Sequence, residues 1–186
     1  MNDRALIIVD ALNEFVYGGI KGEDPERIVP YLQRLRSGAW RAGVPTVYCC
    51  DEHLAADREL TIWGKHAMRG SEGAQIIAAL HPENGDYVVP KRTYSGFHDT
   101  GLDSLLRDLG AKRLFVTGFY TDPCVRHTVA DAYLRRYEVV VVTDAVAALE
   151  AAKREQDLEY MKKMYGARLA QADCVLAAFA EEKVGG

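Results

Sequence analysis

The chain predicts an α/β fold in which a parallel sheet is covered by helices on both faces. Three observations carry this expectation. Short apolar runs alternate with helical patterns along the whole length. Runs such as residues 5–9 (ALIIV) and 138–143 (EVVVVT) are continuous rather than alternating, as suits strands buried on both faces. Charged or reactive residues follow several of these runs directly, which is where a parallel sheet opens its cleft.

The elements follow in order. Residues 5–9 form the first strand, ended by Asp10, with Asn13, Glu14 and Phe15 beyond it and then a Gly18-Gly19 loop. Asp24-Pro25 starts a helix with a capping residue and a first-turn proline. Ile28, Leu32, Leu35 and Trp40 are expected on its buried face, and Gly43 ends it. Residues 46–50 make the second strand, ended by Asp51-Glu52-His53. Residues 54–73 show no regular period and hold Asp57, Arg58, Glu59, Trp63, Lys65, His66 and Arg69. A short helix is expected over 74–80, then a third strand over 86–89 that ends at Pro90-Lys91. After a Tyr94–Phe97 loop, Thr100 can cap a helix marked by Leu102, Leu105, Leu106 and Leu109. The fourth strand starts at Lys112 and is broken by Gly118, and a helix is expected from about Asp122 to Arg136. The fifth strand, 138–143, ends at Asp144. A helix over 149–165, a short strand over 168–170 and a closing helix complete the chain.

A length of 186 residues suits a single domain, 1–186, with a substantial core. A net charge of −4 weighs against nucleic acid or an anionic membrane as the main partner. No apolar run approaches the ~20 residues needed to span a bilayer. The opening MNDRALIIVDALNEF lacks a cleavage-site pattern and is read as a strand rather than a signal peptide. Cys49, Cys50, Cys124 and Cys174 have no disulfide spacing, which fits a reducing cytoplasm. Neither GxGxxG nor GxxxxGK[ST] occurs, so no nucleotide cofactor is expected.

Asp10, Asp51, Lys91, Cys124 and Asp144 each follow a predicted strand and so are expected along one sheet edge. Acid, base and sulfur together suit nucleophilic acyl transfer. Cys124 falls where KRLFVTGFYTDPCV passes from strand to helix, a position that favours thiolate, and a nearby Lys91 adds to this. The competing reading is a small buried cysteine that caps the sheet. Asp10 likewise reads as a turn cap or a site residue. His127 lies a turn beyond Cys124 and is read as an ordinary helix histidine rather than a base.

Three stretches, ALIIVDALNEF, KRTYSGF and GFYTDPCV, occur in order, each at a strand end. With them the chain resembles the isochorismatase-like cysteine hydrolases, and within these the nicotinamidases and related amidohydrolases. The resemblance implies a three-layer α/β/α sandwich whose six-stranded parallel sheet has the order 3-2-1-4-5-6. It implies a triad in which Asp10 is the general base, Lys91 the electrostatic partner and Cys124 the nucleophile. It implies a cis peptide between Phe119 and Tyr120, with oxyanion-hole N–H groups from Tyr120 and Cys124. Asp51-Glu52-His53 and WGKHAMRG resemble the nicotinamidase metal segment. On that likeness Asp51, His53 and His66 would bind zinc, iron or manganese, and Trp63 and Phe15 would flank a substrate ring. Against it, His53 and His66 read as polar loop residues. Tyr120 departs from the family pattern, where a small residue is common, and would narrow the pocket. The implied function is hydrolysis of a small amide, with nicotinamide the leading candidate and a carbamoyl or ureido compound its rival. Vinyl ether cleavage, which manages without the cysteine, and a non-catalytic binding relative are the other readings. The resemblance also implies a homo-oligomer.

Overall fold

The computed structural model describes residues 3–181, so the extreme ends of the domain expected over 1–186 lie outside the described residues. Six strands form one parallel sheet: β1 (Arg4–Val9), β2 (Thr46–Asp51), β3 (Tyr87–Lys91), β4 (Arg113–Gly118), β5 (Glu138–Val146) and β6 (Arg168–Ala170). Their order is β3-β2-β1-β4-β5-β6, as expected.

Alternating side chains of β1 point to opposite faces, and each face has its own core. Leu6 and Ile8 pack with Leu32 and Leu35 of α2 (Val29–Ala42) and with Val175 and Phe179 of a helix over Ala172–Glu181. Ala5, Ile7 and Val9 pack with Leu102 and Leu106 of a helix over Leu102–Asp108, Val129 of one over Arg126–Leu134, and Leu158 and Met161 of one over Arg154–Tyr165. In chain order the helices are α1 (Asn13–Val16), α2, α3 (Leu60–Trp63), α4 (Leu102–Asp108), α5 (Arg126–Leu134), α6 (Arg154–Tyr165) and α7 (Ala172–Glu181). Helices α2 and α7 cover one face, while α4, α5 and α6 cover the other.

Several expectations need correction. Trp40 is 70% exposed; the buried stripe runs Leu32, Leu35, Ala39, and Trp40 lies about 100° further round the helix. The helix expected over 74–80 is a pair of tight turns, Glu72–Ala74 and Ala78–Leu80, because Ile76 between them bridges Leu12 in extended form. Helix α6 begins at Arg154 rather than near Leu149, with a tight turn at Ala151–Lys153 ahead of it. Strand β5 runs on to Val146, so Asp144 lies inside it. Its Oδ1 accepts the Ala172 N–H at 2.8 Å, which ties it to the start of α7 and not to the cleft.

Gly118 sets the geometry at the end of β4. Its φ is +107°, and a Cβ there would lie 2.0 Å from the Val9 carbonyl oxygen. Only glycine lets β4 close on β1 at this point. The Phe119 N–H then donates to Val9 O at 2.9 Å, and the chain turns into the wide helical turn Thr121–Val125 that carries Cys124. The peptides Phe119–Tyr120 and Asp122–Pro123 are cis.

Candidate active site

The ends of β1, β2 and β3 and the turn after β4 bring four buried groups together. Lys91, the last residue of β3, pairs in register with Asp51, the last of β2. The Lys91 Nζ lies 2.8 Å from Asp10 Oδ2, 2.6 Å from Asp51 Oδ1 and 3.7 Å from Cys124 Sγ. Asp10, Asp51 and Cys124 each place an atom within 4.8 Å of the others. Asp10 adopts a left-handed backbone (φ +51°), an uncommon setting for a non-glycine residue, and its Oδ1 accepts the Asp51 N–H at 2.8 Å.

Charge balance fixes the protonation. Burial would strip the proton from Lys91, but Asp10, Asp51 and the sulfur together hold its ammonium well above the ordinary value. Burial, then the Asp51 charge, pushes the Asp10 carboxyl up to about 7, against the pull of Lys91. Burial acts the same way on Asp51, yet Lys91 and His53 outweigh it and hold Asp51 below the usual range. Cys124 differs from expectation. Its burial outweighs the Lys91 charge, Asp10 opposes ionisation further, and the thiol is raised well above its ordinary value. These directions favour a thiol over a free thiolate at Cys124. His127 is exposed, and its ring nitrogen is committed to the Pro123 carbonyl at 2.7 Å.

A second cluster lies beside the first. Asp51, His53, Glu59 and His66 are all buried, and each offers a ligand atom within 4.8 Å of the others. The donor chemistry fits a divalent cation. His53 Nδ1 is 3.1 Å from Asp57 Oδ2, and His66 Nδ1 is 2.9 Å from the Gly64 carbonyl. With Nδ1 of each ring committed outward, a bound cation would take the two inward-facing Nε2 atoms as lone-pair donors in place of a proton. Asp51 Oδ2, His53 Nε2 and Glu59 Oε2 are buried without any hydrogen-bond partner. Burial and the neighbouring Asp51 charge raise Glu59, the tension that a cation between two carboxylates relieves.

Glu59 and Asp57 were not singled out by the sequence. Both lie in the irregular stretch, where no period marks a buried face. Asp57 accepts Arg92 Nε at 2.9 Å and the Leu54 N–H at 2.8 Å, which fixes its carboxylate against His53. A narrow cleft, about 20 Å³ in volume, opens above both clusters. The expected Phe15, Trp63 and Tyr120 line it, and so do Ile20, Phe119 and Leu149, with Cys124 in its wall. Tyr94 joins the rim, its hydroxyl accepting Trp63 Nε1–H at 3.1 Å.

Known proteins are similar to this chain in fold and sequence. The isochorismatase domain family matches residues 4–173. The chain belongs to the isochorismatase family. Among solved structures it is similar to an N-carbamoylsarcosine amidase from Thermoplasma acidophilum, with 38% identity and a TM-score of 0.87 over 92% of this chain and 98% of that one. It is also similar to a pyrazinamidase of Pyrococcus horikoshii in complex with zinc, with 28% identity and a TM-score of 0.84 over 91% and 99%. A probable inactive nicotinamidase from Arabidopsis thaliana is 31% identical over 78% of this chain and 81% of that protein. This isochorismatase-family chain thus has a hydrolase fold with amidases among its neighbours. Among the described residues no helix is long and apolar enough to cross a membrane.

Proposed function

We propose that the protein is a cysteine-dependent amidohydrolase acting on a small neutral primary amide, with nicotinamide the leading candidate. The observation that carries this reading is the Lys91 ammonium held 2.8 Å from Asp10 and 3.7 Å from the Cys124 sulfur at the foot of an apolar cleft.

Cys124 gives its proton to ionised Asp10 as its sulfur attacks the amide carbonyl. Lys91 stabilises whichever of the two is anionic. The N–H groups of Tyr120 and Cys124 hold the oxyanion. Their neighbours are already spent: Phe119 N–H on Val9 O, Thr121 N–H on Ala147 O and Val125 N–H on Tyr120 O. The oxyanion collapses, the C–N bond breaks, and nitrogen leaves as ammonia carrying the proton from Asp10. Water then yields a proton to Asp10 and attacks the thioester. The C–S bond breaks, Asp10 returns the proton to sulfur, and the acid departs.

Asp51, His53, Glu59 and His66 would hold a divalent metal, zinc or else iron or manganese. When bound, it supplies a Lewis acid that fixes a ring nitrogen of a pyridine amide. Phe15 and Trp63 would flank the ring. The cleft lining includes the acids Asp51 and Glu59 but no arginine or lysine, which favours a neutral amide over a carboxylate-bearing ureido acid. A carbamoyl amide stands as the second reading because of the 38% identity to the N-carbamoylsarcosine amidase. Exposed Tyr133, Leu134, Tyr160 and Met164 on α5 and α6 give an apolar face for a homo-oligomer, which light scattering would refute by returning the monomer mass.

An ammonia-release screen over nicotinamide, pyrazinamide, carbamoyl amino acids and biuret tests the reading. Release from nicotinamide by the native chain, and none by Cys124→Ala, is expected. Release from carbamoyl amino acids alone would transfer the assignment to the second reading. No release from any of them would refute both.

A further inference from the structure

The buried Tyr120 side chain does more than fill space. The phenol reaches from the turn after β4 to the loop that follows α1. Its hydroxyl donates to the Phe15 carbonyl and accepts the Gly22 N–H at 2.7 Å. One side chain therefore ties both ends of this loop to the turn that carries Cys124. The loop can approach so closely only through glycine: a Cβ on Gly22 would lie 2.9 Å from Tyr120 Cε1 and 2.5 Å from the Ala148 carbonyl oxygen. The Phe15 ring meets Tyr120 edge-on, with centroids 6.0 Å apart.

The loop is a wall of the cleft. Phe15 in α1 leads into it and Ile20 lies in its middle, both lining the cavity. Two further ties hold it: Glu14 Oε1 accepts the Gly19 N–H at 2.8 Å, and the Glu23 N–H donates to Leu149 O at 3.2 Å. Leu149 lines the same cavity. Tyr120 is 3% exposed, and burial pushes its phenol up to about 12, so it keeps its proton and its hydroxyl stays occupied by the loop. It is suited to shaping the site rather than reacting in it.

We propose that Tyr120 is the specificity-determining residue of the cleft. It props the wall formed by residues 15–22 and limits the substrate to a primary amide bearing nothing larger than one flat ring. The substrate class named here rests on the amidase reading; the control of access to Cys124 does not.

The test therefore uses a probe that needs no turnover. Native chain, Tyr120→Phe and Tyr120→Ala are alkylated with iodoacetamide or with N-phenyl iodoacetamide, and rates at each cysteine are read by peptide mass spectrometry. Exposed Cys174 is the internal control. The native chain should prefer the small reagent far more strongly at Cys124 than at Cys174. Tyr120→Phe, which keeps the ring but releases the loop, should narrow the Cys124 preference about threefold. Tyr120→Ala should narrow it tenfold or more, with Cys174 unchanged in both. A preference unchanged in either folded variant overturns the proposal; should Tyr120→Ala not fold, Tyr120→Phe decides alone. A native chain that hydrolyses no amide refutes the amidase reading and leaves this comparison standing.

Discussion

Two buried polar clusters share one residue and are built in different ways. The Asp10–Lys91–Cys124 corner is made by strand ends, fixed by sheet register, and its charges answer one another. Lys91 faces Asp10 at 2.8 Å and Asp51 at 2.6 Å. The Asp51–His53–Glu59–His66 cluster takes His53 from just beyond β2 and Glu59 and His66 from the irregular stretch, and leaves Asp51 Oδ2, His53 Nε2 and Glu59 Oε2 without hydrogen-bond partners. Asp10 Oδ2 also lacks a hydrogen-bond partner, yet the Lys91 ammonium 2.8 Å away answers its charge, so the strand-end corner is balanced as folded. A cluster with several unpartnered acceptors is suited to a cation, so the two should respond differently to the same insults.

The largest contrast is expected in rate. Cys124→Ala should lower hydrolysis by at least about a thousandfold while the circular dichroism spectrum and melting temperature stay close to native. If a few per cent of activity survives, the nucleophile lies elsewhere.

Stability should separate the clusters next. Lys91→Met leaves two carboxylates buried without their cation and should cost about 3–5 kcal/mol in urea unfolding. Glu59→Gln in the metal-free chain removes a carboxylate that faces Asp51, and should change stability by less than about 1 kcal/mol or raise it. Equal losses would erase the distinction drawn here.

Metal removal sharpens it from the other side. Dialysis against a chelator, followed by metal analysis, should abolish activity together with bound metal. Full activity in a metal-free sample would remove His53, Glu59 and His66 from the reaction. Asp57→Asn, which loosens the orientation of His53, should weaken zinc binding by about 10–100-fold in calorimetry.

Acidity tests the strand-end corner alone. Asp10 must be ionised to accept the thiol proton, and its carboxyl is raised to about 7, so kcat/KM should fall as pH drops through about 7. Linkage has the opposite sign. From 3.8 to about 7 the folded chain keeps a proton on Asp10 that the unfolded chain has lost, so this group's contribution to stability declines as pH rises. A rate flat between pH 5 and 8 would exclude Asp10 as the base. The smallest effect belongs to Asp144→Ala, which frees the Ala172 N–H and should cost about 1 kcal/mol with no change in rate.

The same contrast explains what the sequence discloses. Strand-end residues are legible because a continuous apolar run that stops at a charge marks both the strand and the sheet edge; Asp10, Asp51 and Lys91 follow directly. Asp144 misleads because β5 outruns its apolar stretch. Glu59 and Asp57 are hidden because tertiary folding, not local period, carries residues 54–66 over the cleft. The thiol's ionisation is not legible in the chain, because a turn position speaks of dipoles, whereas burial raises the thiol and depends on the tertiary fold. Tyr120 could be seen as bulky, but its bond to Gly22 spans 98 positions of sequence.

The central claim is a covalent step at one sulfur. Acid quenching during turnover of nicotinamide, followed by peptide mapping, should reveal a nicotinoyl group on the Cys124 peptide that disappears once substrate is exhausted. Steady hydrolysis with that peptide unmodified at every quench time, or with the acyl group on Cys174, would contradict it.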